Sequence, residues 1–445
     1  MRAISLFLTP AFWLLAPGFW LLTQGATASQ SPAAIDTALA HQYFQEARAA
    51  CLKDNGALWG ISLDGPMMFA DPRTRSIVAN QKDTEGKLTA AGNVFIGTLP
   101  ATEIIANNAI KWAGVEWTMV MWPLPEDKHA RLQLMMHESF HRIQDEIGLP
   151  AANPANEHLG TMEGRMLMRL EWRALRQALG SSDDERRRAI EDALVFRSYR
   201  RELFKAADTE RGLEMNEGLS EYTGVKLNGR TPPEIIAQLR ARLESAEKRA
   251  TFVRSFAYIS GPAYGILLDE TAKQWRKNLT PRDDFGALLQ MTFSITLPAN
   301  LKDEAEKRSL KYSGDTVRAE ETEREEARKK RMADHRRRFV DGPLLILPLT
   351  DNVQYGFDPG NIEALEGHGT VYPNMRVVDA WGILEVSGGA LMIREGQRVA
   401  RVHVTAPQDV SARPLAGEGW KLTLNSGWSL VPSERKGDYT LKKQE

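Results

Sequence analysis

The stretch EDKHARLQLMMHESFHRIQDEIG, residues 126–148, decides the fold of this chain. It consists of helix-forming residues throughout and ends at Gly148 and Pro150, which are helix-terminating signals. Three apolar residues, Leu134, Met135 and Met136, stand together in its middle. The stretch therefore predicts a single helix that is buried in the protein.

Short strands precede this helix and long helices follow it. Apolar runs between glycine and proline signals predict strands within residues 57–80, and GVEWTMVMW, residues 114–122, predicts another. Helical spacing predicts an amphipathic helix at 34–52 and further helices at 161–180, 183–207, 213–228, 232–250 and 252–276. The fold class predicted from this order is α+β, with a mainly helical domain and a small N-terminal antiparallel sheet.

The last third of the chain changes character twice. Residues 302–338 are a charge run with acid-before-base pairs four residues apart, which predicts a solvated helical connector. After Gly342 the residues alternate between apolar and polar and turn at glycines, which predicts a small accessory β domain. The predicted organisation is a signal peptide at 1–28, a main domain at 29–300, a connector at 301–342 and a β domain at 343–445.

Composition excludes several classes of protein. The chain has 445 residues, with 57 basic and 58 acidic side chains, so its formal charge of -1 does not favour a nucleic-acid partner. A charged fraction of 26% and a mean hydropathy of -0.38 exclude a polytopic membrane protein. Eleven tryptophans and 15 phenylalanines supply more apolar surface than a disordered chain carries. A soluble globular protein remains.

The N-terminus has the pattern of a secretory signal. Arg2 precedes an apolar run, and the small residues Ala26 and Ala28 follow it, so we expect cleavage after Ala28. The mature protein is then periplasmic or secreted and not inserted stably in a membrane. Cys51 is the single cysteine, so no intrachain disulfide is expected. The sequence predicts no oligomeric state.

The motif His137-Glu138-Ser139-Phe140-His141 points to metal chemistry. Residues four apart lie on one helix face about 5–6 Å from each other, so both imidazoles can reach one ion. Glu138 projects beside them, where it can take a proton from water. Two buried imidazoles are costly unless they are hydrogen-bonded or metallated. The motif predicts one zinc ion per chain, with Glu138 as the catalytic base.

A zinc site of this kind needs a third protein ligand. Positions 144 and 147 are Gln and Ile, so no third histidine follows at the usual spacing. Two carboxylates are candidates: Glu163, 22 residues after His141, and Glu217, 76 residues after it. Glu221, one turn beyond Glu217, would either orient a ligand histidine or lie solvated on its helix.

Two further motifs resemble the gluzincin metallopeptidases, in particular their thermolysin-like and alanyl-aminopeptidase branches. Asn216-Glu217-Gly218 resembles the motif whose glutamate is the third zinc ligand, which implies Glu217. Tyr258-Ile259-Ser260-Gly261 resembles the Tyr-x-x-Gly motif whose phenol stabilises the oxyanion, which implies Tyr258, with Tyr264 as the alternative. The resemblance covers roughly residues 115–270, and it also implies that strand 114–122 is the edge strand that pairs with an extended substrate.

The predicted function is therefore that of an exported zinc metallopeptidase acting on a peptide or protein. The aminopeptidase motif that captures a free amine is missing upstream of His137, so exopeptidase specificity is not inferred. His158 is a possible substrate contact. Two alternatives stay open: a zinc hydrolase that acts on peptidoglycan amides, and a non-catalytic envelope protein that binds through its β domain.

Overall fold

The computed structural model describes residues 35–271, 274–358, 361–396 and 398–444. The predicted signal peptide at 1–28 lies outside the described residues. The described part is a mixed structure of helices and strands, with one sheet before the helices and two sheets after them. In this part of the chain no helix combines the length and the apolar character that crossing a bilayer requires.

The first sheet has six strands in the order β3-β4-β2-β1-β6-β5. Their bounds are Met67–Ala70 (β1), Ser76–Ala79 (β2), Thr89–Ala91 (β3), Val94–Thr98 (β4), Asn108–Trp112 (β5) and Val115–Met121 (β6). The prediction of an antiparallel sheet is wrong for one pair, because β1 and β6 run parallel. The hairpins of β2 to β5 separate these two strands in sequence, so β6 returns along β1 in the same direction.

Strand β6 is also not the edge strand that the sequence suggested. It lies between β1 and β5, and its consecutive residues Trp117–Val120 are all buried. A run of buried residues means that both faces of the strand are covered, as is usual for an interior strand. The edge position belongs to β5, which is less apolar and only partly buried.

Helices α1 to α9 precede or follow this sheet, and all of them except α5 and α9 lie close to predicted helices. They are Thr37–Asp54 (α1), Lys128–Ile143 (α2), Met162–Gly180 (α3), Asp183–Phe204 (α4), Ala207–Leu213 (α5), Leu219–Leu227 (α6), Pro232–Ala246 (α7), Ala257–Thr271 (α8) and Phe285–Thr292 (α9). A π-helical turn, Glu214–Gly218, joins α5 to α6. The side chain of Asp127 caps α2 by accepting a hydrogen bond from the Ala130 amide at 2.8 Å. Met135, Met136 and Phe140 are fully buried, as predicted for this helix.

Helices α3 to α5 carry most of a group of paired and largely buried charges, which we call the arginine cluster. Its members are Glu171, Arg197, Arg200, Arg201, Glu210, Glu214 and Asp284. Arginines are mostly exposed in folded proteins, but the adjacent Arg200 and Arg201 are not. Arg200 is 0% exposed, because Glu171 and Glu210 accept its hydrogen bonds and make its burial possible.

The charge run forms helices Leu301–Ser309 (α10) and Gly314–Arg336 (α11). Most of α11 is exposed, but Glu321 is buried. It accepts hydrogen bonds from Arg165 at 2.8 Å and Arg169 at 2.9 Å, both on α3. This buried carboxylate is one of the contacts that attach the charged segment to the helical core; another is the pairing of Arg308 with Asp192 on α4.

The C-terminal strands form a seven-stranded sheet, β17-β18-β7-β14-β13-β10-β9, and a five-stranded sheet, β15-β16-β12-β11-β8. The strands are Leu344–Pro348 (β7), Gln354–Phe357 (β8), Glu363–Leu365 (β9), Gly369–Tyr372 (β10), Met375–Asp379 (β11), Gly382–Val386 (β12), Ala390–Glu395 (β13), Arg398–Thr405 (β14), Leu415–Gly417 (β15), Trp420–Leu424 (β16), Trp428–Pro432 (β17) and Tyr439–Lys443 (β18). One apolar cluster contains residues of both sheets, so their inner faces pack together. The pairing is antiparallel except between β18 and β7.

Candidate metal centre

Helix α2 and the π-helical turn bring three potential ligand atoms together. The Nε2 atoms of His137 and His141 lie 3.1 Å apart, and Glu217 Oε2 lies 3.4 Å from the first and 3.5 Å from the second. Two atoms that bind one zinc ion tetrahedrally at about 2.0–2.1 Å are about 3.3 Å from each other. The three atoms therefore have the spacing of a three-ligand zinc site, and Glu217 stands where the third ligand is needed.

Glu138 lies beside the two histidines, but none of the hydrogen bonds of the described residues involves its Oε2 atom. Only 5% of the residue is exposed. Burial raises the pKa of this carboxyl, while the adjacent His137 and His141 lower it in part. An unpartnered buried carboxylate is costly in a folded protein, and such groups are concentrated at functional sites.

Each histidine ring is held from its other nitrogen. His137 Nδ1 is 2.8 Å from Glu221 Oε2, and His141 Nδ1 is 2.6 Å from Gln144 Oε1. Both partners are acceptors, so each ring donates a proton from Nδ1 and turns its Nε2 atom towards the other potential ligand atoms. This arrangement is the usual support of metal-ligating histidines.

Glu221 is buried and anchored rather than solvated. Its Oε1 atom accepts hydrogen bonds from Gln133 Nε2 at 2.7 Å and from Arg242 Nη2 at 2.6 Å. Burial by itself raises the pKa of Glu221, but Arg242 and His137 lower it to about 2. The carboxylate is thus ionised and fixed in the position from which it orients His137.

Glu217 is fixed in the same way from its other oxygen. Its Oε1 atom accepts hydrogen bonds from Arg254 and, at 3.2 Å, from Asn216 Nδ2. Burial raises the pKa of Glu217, but Arg254 and the two histidines lower it far below its ordinary value. The Oε2 atom is left facing the imidazoles, as a metal ligand must be.

The three carboxylates of this site exceed its arginines by one charge. Burial lowers the pKa of His137, but Glu138 and the contacts with Glu217 and Glu221 raise it to about 10. The excess of carboxylates thus favours a positive charge at the imidazoles. A divalent cation supplies that charge and replaces the proton when ligands of this kind bind a metal.

Two glycines allow the π-helical turn and α8 to meet. A Cβ atom at Gly261 would lie 2.3 Å from the Cα atom of Gly218, so Gly261 does not tolerate a side chain. A Cβ atom at Gly218 would lie 3.2 Å from the Cα atom of Gly261, which is a tight contact. Gly218 closes the Asn-Glu-Gly motif and Gly261 closes the Tyr-x-x-Gly motif. The close backbone contact therefore holds Glu217 and Tyr258 in the same site.

Tyr258 lies in this site. Its ring stacks on the His137 ring, with the centroids 5.5 Å apart and the planes inclined by 5°. Burial and the neighbouring Glu217 raise the pKa of its phenol far above the ordinary value, so the hydroxyl stays protonated. Tyr258 is thus able to donate a hydrogen bond next to the ligand atoms.

The other candidate residues lie elsewhere. Tyr264 is fully buried and donates a hydrogen bond to Glu171 of the arginine cluster at 2.7 Å. His158 is bonded to Glu210 of the same cluster at 2.8 Å. Glu163 is exposed in the first turn of α3. Among the described residues, no hydrogen bond or ion pair connects Glu163 to the two histidines.

Sequence reasoning missed three residues that support the site: Gln144, Arg242 and Arg254. Gln144 stands three residues after His141, a spacing that places the two side chains on one helix face and could have revealed it. Arg254 lies in the turn before α8, and nothing in the local sequence indicates that it bonds Glu217. Arg242 comes from the separate helix α7, and nothing in the local sequence indicates its role.

The metal centre opens into a cleft of about 940 Å³. Its lining includes the metal-centre residues, residues 107–111 at strand β5 and, from the C-terminal sheets, residues 353–357 with Tyr372. The β domain thus contributes a wall to the site, although no pattern in its sequence indicated this.

No protein-family model, curated protein or solved structure matches this chain. The class that the fold and the site define is a mixed helix-and-sheet protein with a largely buried cluster of two histidines and three glutamates.

Proposed function

We propose that this protein is an exported zinc metallopeptidase with a gluzincin-type catalytic domain. The observation that carries the proposal is the convergence of His137 Nε2, His141 Nε2 and Glu217 Oε2 within 3.5 Å of one another beside the unpartnered carboxylate of Glu138. Two imidazoles and one carboxylate are the donor set of many catalytic zinc sites.

His137, His141 and Glu217 would hold one zinc ion. Bound zinc supplies Lewis-acid chemistry, polarising a carbonyl and lowering the pKa of water to about 7. The residues around the ligands already hold them in position, because Glu221, Gln144 and Arg254 bond the atoms that do not face the ion.

Glu138 would move the proton. Its free Oε2 atom accepts a proton from the attacking water, and its raised pKa lets it keep that proton until the leaving amine takes it. Tyr258 would donate its phenolic proton in a hydrogen bond to the oxygen of the scissile carbonyl as negative charge develops there. Its stacking on His137 keeps the phenol close to the reacting group.

A peptide is the substrate best supported by the cleft. Strand β5 is hydrogen-bonded to one neighbour only within the described sheet, and its residues line the cleft. An edge strand in this position can pair with an extended peptide backbone. Peptide cross-links of peptidoglycan present the same amide group and belong in the substrate panel.

The experiment is a comparison of three purified chains: wild type, His137→Ala and Glu138→Gln. We expect about one zinc per wild-type chain by elemental mass spectrometry, and its loss in His137→Ala. Glu138→Gln should keep the zinc and lose about 10³-fold in hydrolysis of peptides, because the amide cannot accept the proton.

Two results would contradict the proposal. Full activity of Glu138→Gln would exclude this glutamate as the base. A wild-type chain that binds no metal after zinc is added would favour the alternative, a non-catalytic binding protein.

A further inference from the structure

The cleft lies between the edges of two different sheets. Strand β5 is the last strand of the six-stranded sheet, and β8 is the last strand of the five-stranded sheet among the described residues. Residues 107–111 and residues 353–357 both line the cleft. An edge strand presents backbone N–H and C=O groups that can pair with another chain. Residues of two edge strands therefore line the cleft at the candidate metal centre.

The two walls are joined to each other. The Ile104 amide donates a hydrogen bond to Gln354 Oε1 at 3.2 Å, and Arg376 Nη2 donates one to the Ala101 carbonyl at 3.0 Å. Ile104 also packs on the backbone of Gly356, where a Cβ atom would lie 2.9 Å from Ile104 Cγ2. The segment that leads into β5 is thus tied to β8 at residues that line the cleft.

The β8 wall carries aromatic rings rather than charges. Tyr355 and Phe357 are two residues apart on the strand and share one face, with their centroids 6.0 Å apart. Phe357 meets Tyr372 edge to face at 4.8 Å. All three residues line the cleft. Aromatic side chains in a cleft provide large apolar contact surfaces for a ligand.

Resting on the proposed peptidase function, we propose that the substrate is an unfolded, extended peptide segment held between β5 and β8, and that the joined walls exclude folded proteins. An extended chain has backbone groups on both sides, so it can pair with both edges at once. A loop that is anchored at both ends in a folded domain must detach from that domain before it can enter between the walls. The C-terminal β domain is on this view part of the substrate site.

The first test compares one cleavable sequence of about ten residues in two settings. It is offered as a free quenched-fluorescence peptide and as an exposed loop of a stable carrier domain. We expect wild type to cleave the free peptide and to cleave the loop about 100-fold more slowly, because loop cleavage requires local opening. Ile104→Gly combined with Gln354→Ala should raise the ratio of loop to free-peptide cleavage about tenfold.

Gln408→Ala is the matched control. Gln408 is an exposed glutamine of the same β domain that does not line the cleft, so this variant should keep the wild-type ratio. Equal cleavage of loop and free peptide by wild type would overturn the inference while leaving the proposed function intact. Failure of wild type to cleave any peptide would contradict the proposed function itself.

The second test does not depend on turnover. The free peptide is added to Glu138→Gln, and amide hydrogen exchange is measured by mass spectrometry. We expect slower exchange in both β5 and β8 when the peptide is bound. Protection of β5 alone would overturn the role of β8, and it would do so even in a protein that cleaves peptides.

Discussion

Two regions of this protein bury charge, and they do so differently. In the arginine cluster every carboxylate oxygen of Glu171, Glu210 and Glu214 accepts a hydrogen bond. In the metal centre Glu138 Oε2 has no partner among the described residues, and two imidazole nitrogens face each other at 3.1 Å. In the arginine cluster the atom without a partner among the described residues is a guanidinium nitrogen, Arg197 Nε, whereas in the candidate metal centre it is a carboxylate oxygen. An unpartnered buried carboxylate is costly, and such groups are concentrated at functional sites.

The comparison also explains which candidate residues were structural. His158 was a possible substrate contact and Tyr264 the alternative to Tyr258, yet both contact carboxylates of the arginine cluster. Glu171 and Glu210 thereby gain partners that make their full burial tolerable. The type of a residue was thus less informative than whether its polar atoms remain available.

The largest effect we expect in a test of this contrast comes from Arg200→Met. The variant removes a hydrogen-bond donor from each of the fully buried carboxylates Glu171 and Glu210. The free energy of unfolding should therefore fall by about 3–5 kcal/mol. Denaturant unfolding measures this loss. Arg188→Met on the same helix, at an exposed position, should change stability by about 0.5 kcal/mol or less. Glu138→Gln should not destabilise at all, and equal losses in all three variants would remove the contrast.

A smaller effect is expected from Glu221→Ala. The variant removes the carboxylate that fixes the His137 ring, so zinc affinity should fall about 10–100-fold. Competition with a chromophoric chelator measures this affinity. Glu202→Ala, an exposed position on α4, serves as the control. Unchanged zinc affinity in Glu221→Ala would show that the metal centre does not depend on this support.

The smallest effect concerns pH and the arginine cluster. Burial raises the pKa of Glu210, but Arg200, His158 and Arg201 lower it far below its ordinary value. A carboxyl with a depressed folded-state pKa stabilises the fold above its unfolded pKa of about 4.3 and loses this contribution as the pH falls further.

Thermal unfolding between pH 7 and pH 3 checks this sign. Wild type should lose more stability on acidification than Glu210→Gln, which cannot gain the proton. Parallel curves for the two chains would mean that Glu210 does not contribute to the acid sensitivity of the fold.

Sequence alone located most of the helices and half of the candidate metal centre. The spacing of His137 and His141 along one helix fixes their proximity, because a helix repeats every 3.6 residues. The position of Glu217 could be inferred from the Asn-Glu-Gly motif, although its distance in sequence from His141 left Glu163 as an alternative. In the structure the π-helical turn carries Glu217 to the histidines, while Glu163 is exposed.

What the sequence could not decide depends on contacts between distant segments. The order of strands in the first sheet follows from which apolar faces are covered, so β6 lies inside and β5 at the edge. The supporting contact of Arg242 with Glu221 and the joining of Ile104 to Gln354 each link residues from separate elements. Local periodicity determines helices and spacings of a few residues, whereas packing alone determines which edges and charges meet, because those energies arise only when the chain is folded.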